Sequence, residues 1–117
     1  MGKDDFEVIA FKVLSYAYAC IKAGVVPSWA KAEEVAGCNP VYFAAIIGSL
    51  SDSGYIRTVK VFSDMNGEPL DFSDELTITI QGTDYLRENS RMQKVAKFLG
   101  KAFEKALEIA VSATMAL

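Results

Sequence analysis

The chain has 117 residues, of which 51% are hydrophobic and 23% are charged, and its formal net charge at pH 7 is −3. This length fits one domain with a core of its own, and the composition excludes a disordered chain. The sequence contains no histidine, the residue that most often serves as a general base or a zinc ligand. We therefore expect no enzymatic activity, no metal site and no cofactor.

Hydropathy and cysteine usage predict a cytoplasmic protein. No apolar run reaches the roughly 20 residues that a transmembrane helix needs. The chain starts with the polar segment Met1–Asp5, so we expect no secretory leader. The two cysteines, Cys20 and Cys38, lack the spacing of a CxxC motif or of a disulfide framework. We expect both to be free thiols in a reducing compartment.

A helix is predicted from Asp4 to about Ala23, because apolar residues recur there at spacings of three and four. A second apolar set, Val8, Phe11 and Tyr18, lies off the main apolar face. We therefore expect a further part of the chain to cover the back of this helix. The main face comprises Phe6, Ile9, Ala10, Val13, Ala17, Cys20 and Ile21.

Two short helices are predicted next, with a turn of about three residues between them. Ser28 is a good N-cap for a helix over residues 29–36, and Gly37 follows it as a stop. Asn39-Pro40 then places a cap residue before a proline at the first helical position, and Gly54 ends this third helix. Such a pair is typical of a helix-turn-helix, with the third helix as the recognition helix.

The segments Tyr55–Phe62 and Leu76–Ile80 are rich in β-branched and aromatic residues and predict two paired strands. The long polar segment Ser63–Glu75 would be the loop of this hairpin. Thr79 can cap a short helix after the second strand, and a long final helix is expected from about Ser90 to Met115.

These elements predict an α+β, mostly helical fold: a winged helix-turn-helix with a two-stranded wing and a long C-terminal helix. The expected division is a winged helix-turn-helix domain over residues 1–89, followed by an amphipathic helix over residues 90–117. The small residues Ala45, Gly48 and Ser49 on the third helix suggest that a C-terminal helix, from this chain or from a partner subunit, packs across them.

Two stretches resemble the YjcQ-like family of small bacterial and phage-associated winged-helix proteins. They are Gly54-Tyr55-Ile56 and the segment Thr79–Asn89, which reads TIQGTDYLREN. The T-x-x-G-x-x-Y-L pattern within the second is also widespread among winged-helix repressors. The resemblance covers about residues 4–90. It implies a DNA-binding type of fold, and it brings no known catalytic or ligand residues.

Charge opposes DNA binding through the recognition helix and the wing. Residues 1–86 contain six Lys and Arg and twelve Asp and Glu, a net charge of −6. Residues 87–117 contain six Lys and Arg and three Asp and Glu, a net charge of +3, and the two parts add up to the net charge of −3. Phosphate contacts require cations on the docking surface. The outward face of the recognition helix has none, and it comprises Val41, Tyr42, Ala45, Gly48, Ser49 and Asp52. The loop acids are Asp64, Glu68, Asp71, Asp74 and Glu75.

The cations of the C-terminal part form a stripe. On one continuous helix, six of them would fall within about a third of the helical wheel: Arg87, Arg91, Lys94, Lys97, Lys101 and Lys105. The pattern indicates a solvated face behind an apolar stripe that packs on the core or forms a dimer. A nucleic-acid contact and a membrane-surface helix are the alternatives. The apolar stripe comprises Met92, Ala96, Leu99, Phe103, Ala106, Ala110 and Leu117.

The leading hypothesis is a small DNA-binding regulator that forms a homodimer, and double-stranded DNA is the expected partner. Its predicted DNA contacts are Asn39, Tyr42, Ser49, Arg57, Lys60, Arg87, Arg91 and Lys94. Its predicted dimer interface comprises Met92, Ala96, Leu99, Phe103, Ala106 and Ala110. The alternative hypothesis is a module that binds a protein partner and does not bind DNA, because a fold does not determine a function.

Overall fold

The computed structural model describes residues 1–57, 61–62, 71–72 and 75–116, with the backbone alone at 61–62 and 71–72. Within these ranges the chain forms five helices and one pair of two-residue strands. In chain order they are α1 (Phe6–Lys22), α2 (Trp29–Ala36), α3 (Pro40–Asp52), β1 (Val61–Phe62), β2 (Asp71–Phe72), α4 (Ile80–Glu88) and α5 (Ser90–Met115). None of these helices is long and apolar enough to cross a membrane.

The predicted α+β winged helix is wrong, because the described fold is built from helices and has no wing of the expected extent. β1 and β2 pair antiparallel over two residues each. β1 lies within the first predicted strand, but β2 lies within the predicted loop Ser63–Glu75. Among the described residues, the two segments predicted as strands share one isolated bridge, between Ile56 and Ile78. Ile80, expected as the end of a strand, begins α4 because the Thr79 hydroxyl accepts a hydrogen bond from the Gly82 N–H at 3.0 Å. Residues 58–60, 63–70 and 73–74, which include most of the predicted loop, lie outside the described residues.

The helix boundaries of α2 and α3 confirm the sequence predictions. The Ser28 hydroxyl accepts from the Lys31 N–H at 3.3 Å, and the Asn39 side chain accepts from the Tyr42 N–H at 2.9 Å. Both bonds satisfy backbone donors that have no partner within the helix. Gly37 ends α2 in the left-handed conformation, with φ 67°, which glycine adopts at no steric cost.

Helix α1 is the centre of the fold, and other helices pack on both of its apolar sides. Most of its main face packs with α2 and α3 in the larger core cluster, whereas Phe6 and Ile21 of that face are exposed. On its back, Val8 joins Met92 and Val95 of α5 in a second buried cluster, and the rings of Phe11 and Phe103 lie 5.9 Å apart. The prediction that a further part of the chain covers this helix is therefore confirmed.

A buried chain of hydroxyl groups ties α1 to the end of α5. The Thr114 hydroxyl donates to the Ala110 carbonyl at 2.8 Å, so the Tyr16 hydroxyl donates to the Thr114 oxygen at 2.7 Å. The Tyr16 oxygen in turn accepts from the Ser28 N–H at 3.0 Å. Each hydroxyl thus donates its proton in one hydrogen bond. Buried polar groups in proteins generally have such partners.

Candidate interaction cleft

An open cleft lies where the first turn of α1, helix α3 and the junction of α4 with α5 meet. Its volume is about 580 Å³, which is within the range of small-ligand sites. We name it the interaction cleft. It is lined by Asp4, Asp5, Phe6, Glu7, Ala10, Tyr42, Ser49, Leu50, Ser53, Tyr55, Tyr85 and Arg91.

Aromatic rings form two parts of the cleft wall. Tyr55 and Tyr85 stack with their ring centroids 4.3 Å apart and an interplanar angle of 10°. Phe6 and Tyr42 are tilted, with centroids 6.2 Å apart. Phe6 is 44% exposed, so its ring is available to a ligand. The Tyr42 hydroxyl donates to the Asp4 carbonyl at 2.7 Å, which anchors the start of α1 to α3.

The cleft is acidic. Arg91 donates to Glu7 in an ion pair of 2.9 Å, with the Arg91 side chain 72% exposed and that of Glu7 25% exposed. Asp4 and Asp5 add two further carboxylates, and Arg91 is the one cation among the described lining residues, so one base against three acids gives these residues a net charge of −2. An Asp5 carboxylate oxygen accepts from the Gly2 N–H at 2.9 Å. In the described part of the chain these acids do not form a group that could hold a metal ion.

Two tyrosines of the cleft hold their protons more tightly than usual. Desolvation raises the pKa of Tyr85, and the neighbouring Tyr55 and the Glu7 carboxylate raise it further. Desolvation also raises the pKa of Tyr42, with the nearby Cys38, Asp5 and Asp4 acting in the same direction. Both hydroxyls are therefore neutral donors at physiological pH, and neither is an activated nucleophile.

The structure brings three of the predicted DNA contacts together in this cleft: Tyr42, Ser49 and Arg91. It does not bring the others there. Asn39 uses its side chain to cap α3, and Arg57 is exposed beyond the bridge at Ile56. The remaining contacts that the structure describes, Arg87 and Lys94, are exposed on α4 and α5, and Lys60 lies outside the described residues.

The predicted dimer residues divide into three groups. Met92 and Ala110 are buried within their own chain. Leu99 and Phe103 are half-buried. Ala96 and Ala106 are exposed. Phe103, Ala106 and Ala110 also line an apolar groove of about 380 Å³ between α2 and α5. The homodimer stays a prediction, and so does the division of the chain at residue 89.

The outward face of α3 is exposed, and α5 does not cover it. Val41 is 79% exposed, and Ala45 and Ser49 are also exposed. Helix α5 packs chiefly against α1 instead. The hypothesis that the chain's own C-terminal helix covers this face is therefore wrong, whereas a partner's helix stays open.

Sequence reasoning missed the acidic and aromatic side of the cleft. Asp4 and Asp5 precede α1, where carboxylates suit the helix dipole, and this position alone does not indicate a cleft. Tyr55 and Tyr85 belong to the stretches that carry the family resemblance, but nothing in their spacing indicates that they stack. The one available indication was the shared aromatic character of the two stretches, each with a single tyrosine beside an aliphatic residue.

Comparisons with known proteins identify a family and nothing narrower. Neither the curated proteins nor the solved structures give a match. The family model described as "YjcQ protein" matches residues 11–104. This range contains Tyr42, Ser49, Tyr55, Tyr85 and Arg91 of the cleft and omits the carboxylates at the start of α1. Because the match covers most of the chain, the protein belongs to the YjcQ family.

Proposed function

We propose that this protein is a protein-interaction module that docks a partner through the outward face of α3 and the adjoining interaction cleft. The observation that carries this proposal is the exposed surface of α3, which is uncharged apart from Asp52 at its end. Val41 is 79% exposed, Ala45 and Ser49 are exposed beside it, and α3 contains no Lys or Arg. The core of a protein interface is depleted of charged residues, and an exposed valine on a face without Lys or Arg fits such a surface.

The same surface is a poor match for DNA. Non-specific affinity for a duplex comes mostly from Lys and Arg contacts to phosphates. The nearest cation in the cleft, Arg91, is already paired with Glu7. Asp4 and Asp5 line the cleft, and Asp52 is exposed at the end of α3. A phosphate backbone that approached α3 would therefore meet more negative charge than positive.

DNA binding through α4 and α5 is the second candidate, and one observation favours it. In the part of the chain that the structure describes, no ion pair engages the exposed cations of these helices other than Arg91. They are Arg87, Lys94, Lys97, Lys101 and Lys105. Against it, the acids Glu88, Glu104 and Glu108 are exposed among them.

Fluorescence anisotropy with a labelled duplex at low salt distinguishes the two candidates, because non-specific binding to phosphates is strongest at low salt. We expect no binding. Salt-sensitive binding that is lost in the variant with Lys94→Glu and Lys97→Glu would overturn the proposal in favour of DNA. The variant with Lys3→Glu and Lys22→Glu, which changes two exposed cations outside α4 and α5, controls for net charge.

A photo-crosslinking amino acid at position 41 tests the partner directly in cells that carry the gene naturally. The control is position 26, also an exposed valine (61% against 79% for Val41) but located in the linker between α1 and α2. We expect a discrete protein adduct from position 41 alone, with mass spectrometry to identify it. A second copy of this chain would count as a partner. Equal labelling at both positions, or none, contradicts the proposal.

A further inference from the structure

We infer that the interaction cleft binds the cationic side chain of a lysine or arginine on a partner segment. This inference rests on the proposed function and names the chemistry of the partner at that site. It follows from three properties of the cleft: its aromatic walls, its uncompensated negative charge and its size.

The aromatic walls suit a cation. The faces of aromatic rings carry negative potential, and an ammonium or guanidinium group within about 6 Å of a ring centroid is attracted to it. Tyr55 and Tyr85 cover each other's facing sides, so this pair offers a cation only its outer faces, and Phe6 and Tyr42 add a tilted pair. The protein already uses such a contact elsewhere, since Lys22 Nζ lies 5.2 Å from the centre of the Tyr18 ring.

The charge of the cleft is left for a ligand to compensate. Glu7 is neutralised by Arg91, and a carboxylate oxygen of Asp5 accepts from the Gly2 N–H. The Asp4 carbonyl is bonded to Tyr42, but within the described part of the chain its carboxylate has no cationic partner. A cation in the cleft would therefore meet Asp4 and Asp5 without displacing an existing ion pair.

Other ligand classes fit less well. An anion, including a phosphate backbone, would be repelled by the net charge of −2 on the lining residues. A bare metal ion has no suitable group of ligands among the described residues. The volume of about 580 Å³ accommodates a long side chain together with part of its backbone. A basic peptide segment is the occupant that satisfies all three properties.

The test uses the full chain and a short labelled peptide that carries lysines, with a matched peptide that carries glutamines in their place. Binding is measured by anisotropy, and the tyrosine ring resonances are followed by NMR. We expect the lysine peptide to bind and to shift the resonances of Tyr55 and Tyr85. We expect the glutamine peptide to do neither. Equal binding of the two peptides overturns the inference.

Matched variants test the two parts of the site. Asp4→Asn should weaken lysine-peptide binding about two- to fivefold, the effect of a partly exposed ion pair, whereas Asp84→Asn on the exposed surface of α4 should not. Phe6→Leu should also weaken it, whereas Phe98→Leu on α5 should not, although the two rings are similarly exposed at 44% and 47%. If Asp4→Asn and Phe6→Leu both bind as tightly as the unchanged chain, the site is not this cleft.

The outcome separates the inference from the proposal on which it rests. If Val41 gives a protein adduct and the lysine peptide does not bind, the inference fails and the proposed function stands. If the duplex binds through α5 and Val41 gives no adduct, the proposed function fails, whatever the peptide does.

Discussion

At the residue scale, the T-x-x-G-x-x-Y-L pattern is explained by structure. Thr79 caps α4 and its hydroxyl also donates to the Gly54 carbonyl. Gly82 is buried against the backbone of Tyr55. Tyr85 stacks on Tyr55, and Leu86 is buried in the core. The four positions therefore lock α4 against the segment that follows α3, and only Tyr85 also contributes to the cleft.

We expect Gly82→Ala to destabilise the protein by about 3 kcal/mol, at the upper end of overpacking effects. A Cβ at this position would overlap the Tyr55 carbonyl group and lie 2.9 Å from the Ile78 side chain, and backbone cannot move aside as a flexible side chain can. Urea denaturation measures the change.

Gly48→Ala is the matched control, since it also adds a methyl group within a helix but meets nothing within 4 Å. We expect it to stabilise the protein by about 0.5–1 kcal/mol through helix propensity. Equal effects of the two substitutions would contradict the close approach of α4 to Tyr55.

At the element scale, α5 is two helical segments. Gly100 has φ 66° and ψ −159°, a conformation that is essentially restricted to glycine. This break interrupts the stripe of cations that an unbroken helix would carry. The break also changes the direction of the helix. Ala110 and Thr114 after the break are therefore buried, as Met92 and Val95 are before it.

We expect Gly100→Ala to destabilise the protein by about 1–3 kcal/mol. The alanine would have either to adopt the strained conformation or to straighten α5 and withdraw Thr114 from Tyr16. Ser112→Ala, at an exposed and regular position of α5, should change stability by no more than about 0.5 kcal/mol. Thermal and urea denaturation measure both variants. A Gly100→Ala protein as stable as the unchanged chain would mean that α5 does not depend on this break.

The helices were predictable because their boundaries are set by neighbouring residues. The caps Ser28 and Asn39 act over three positions, and both were recognised from the sequence. The second strand was predicted wrongly, because apolar and polar residues alternate in Leu76–Ile80. This alternation is compatible with a β-strand and equally compatible with the structure that is observed. In that structure Leu76 is buried, Ile78 forms one bridge and Thr79 caps a helix.

The cleft could be predicted only in part, because it is assembled over long distances in the chain. Tyr42 and Ser49 were selected from the recognition helix and Arg91 from the cationic stripe. Their proximity depends on contacts such as Arg91 to Glu7, which are 84 positions apart, and Tyr42 to Asp4, which are 38 apart. No pattern of spacing encodes such pairs.

At the scale of the whole molecule, α1 holds the fold together, and its buried polar groups make stability depend on pH. Burial raises the pKa of the Cys20 thiol above its ordinary value of 9.0. Burial also raises the pKa of the Tyr16 hydroxyl above 10.0, although its hydrogen bonds to Thr114 and Ser28 oppose the shift. Both groups lie in the core, so each keeps its proton in the folded state at a pH where the unfolded chain loses it.

We therefore expect stability to fall with rising pH above about 9. Where the unfolded chain binds fewer protons than the folded one, the free energy of unfolding decreases as pH rises. The contribution of Cys20 should be complete below pH 9.0 and that of Tyr16 below pH 10.0, and each is lost as pH rises further. The measurement is the urea midpoint between pH 7 and pH 11.

Tyr16→Phe should start from a lower stability, because the Ser28 N–H and Thr114 lose their partner, but its midpoint should fall less steeply above pH 10. If the urea midpoints of the two proteins fall in parallel with rising pH, ionisation of Tyr16 is not what destabilises the folded state.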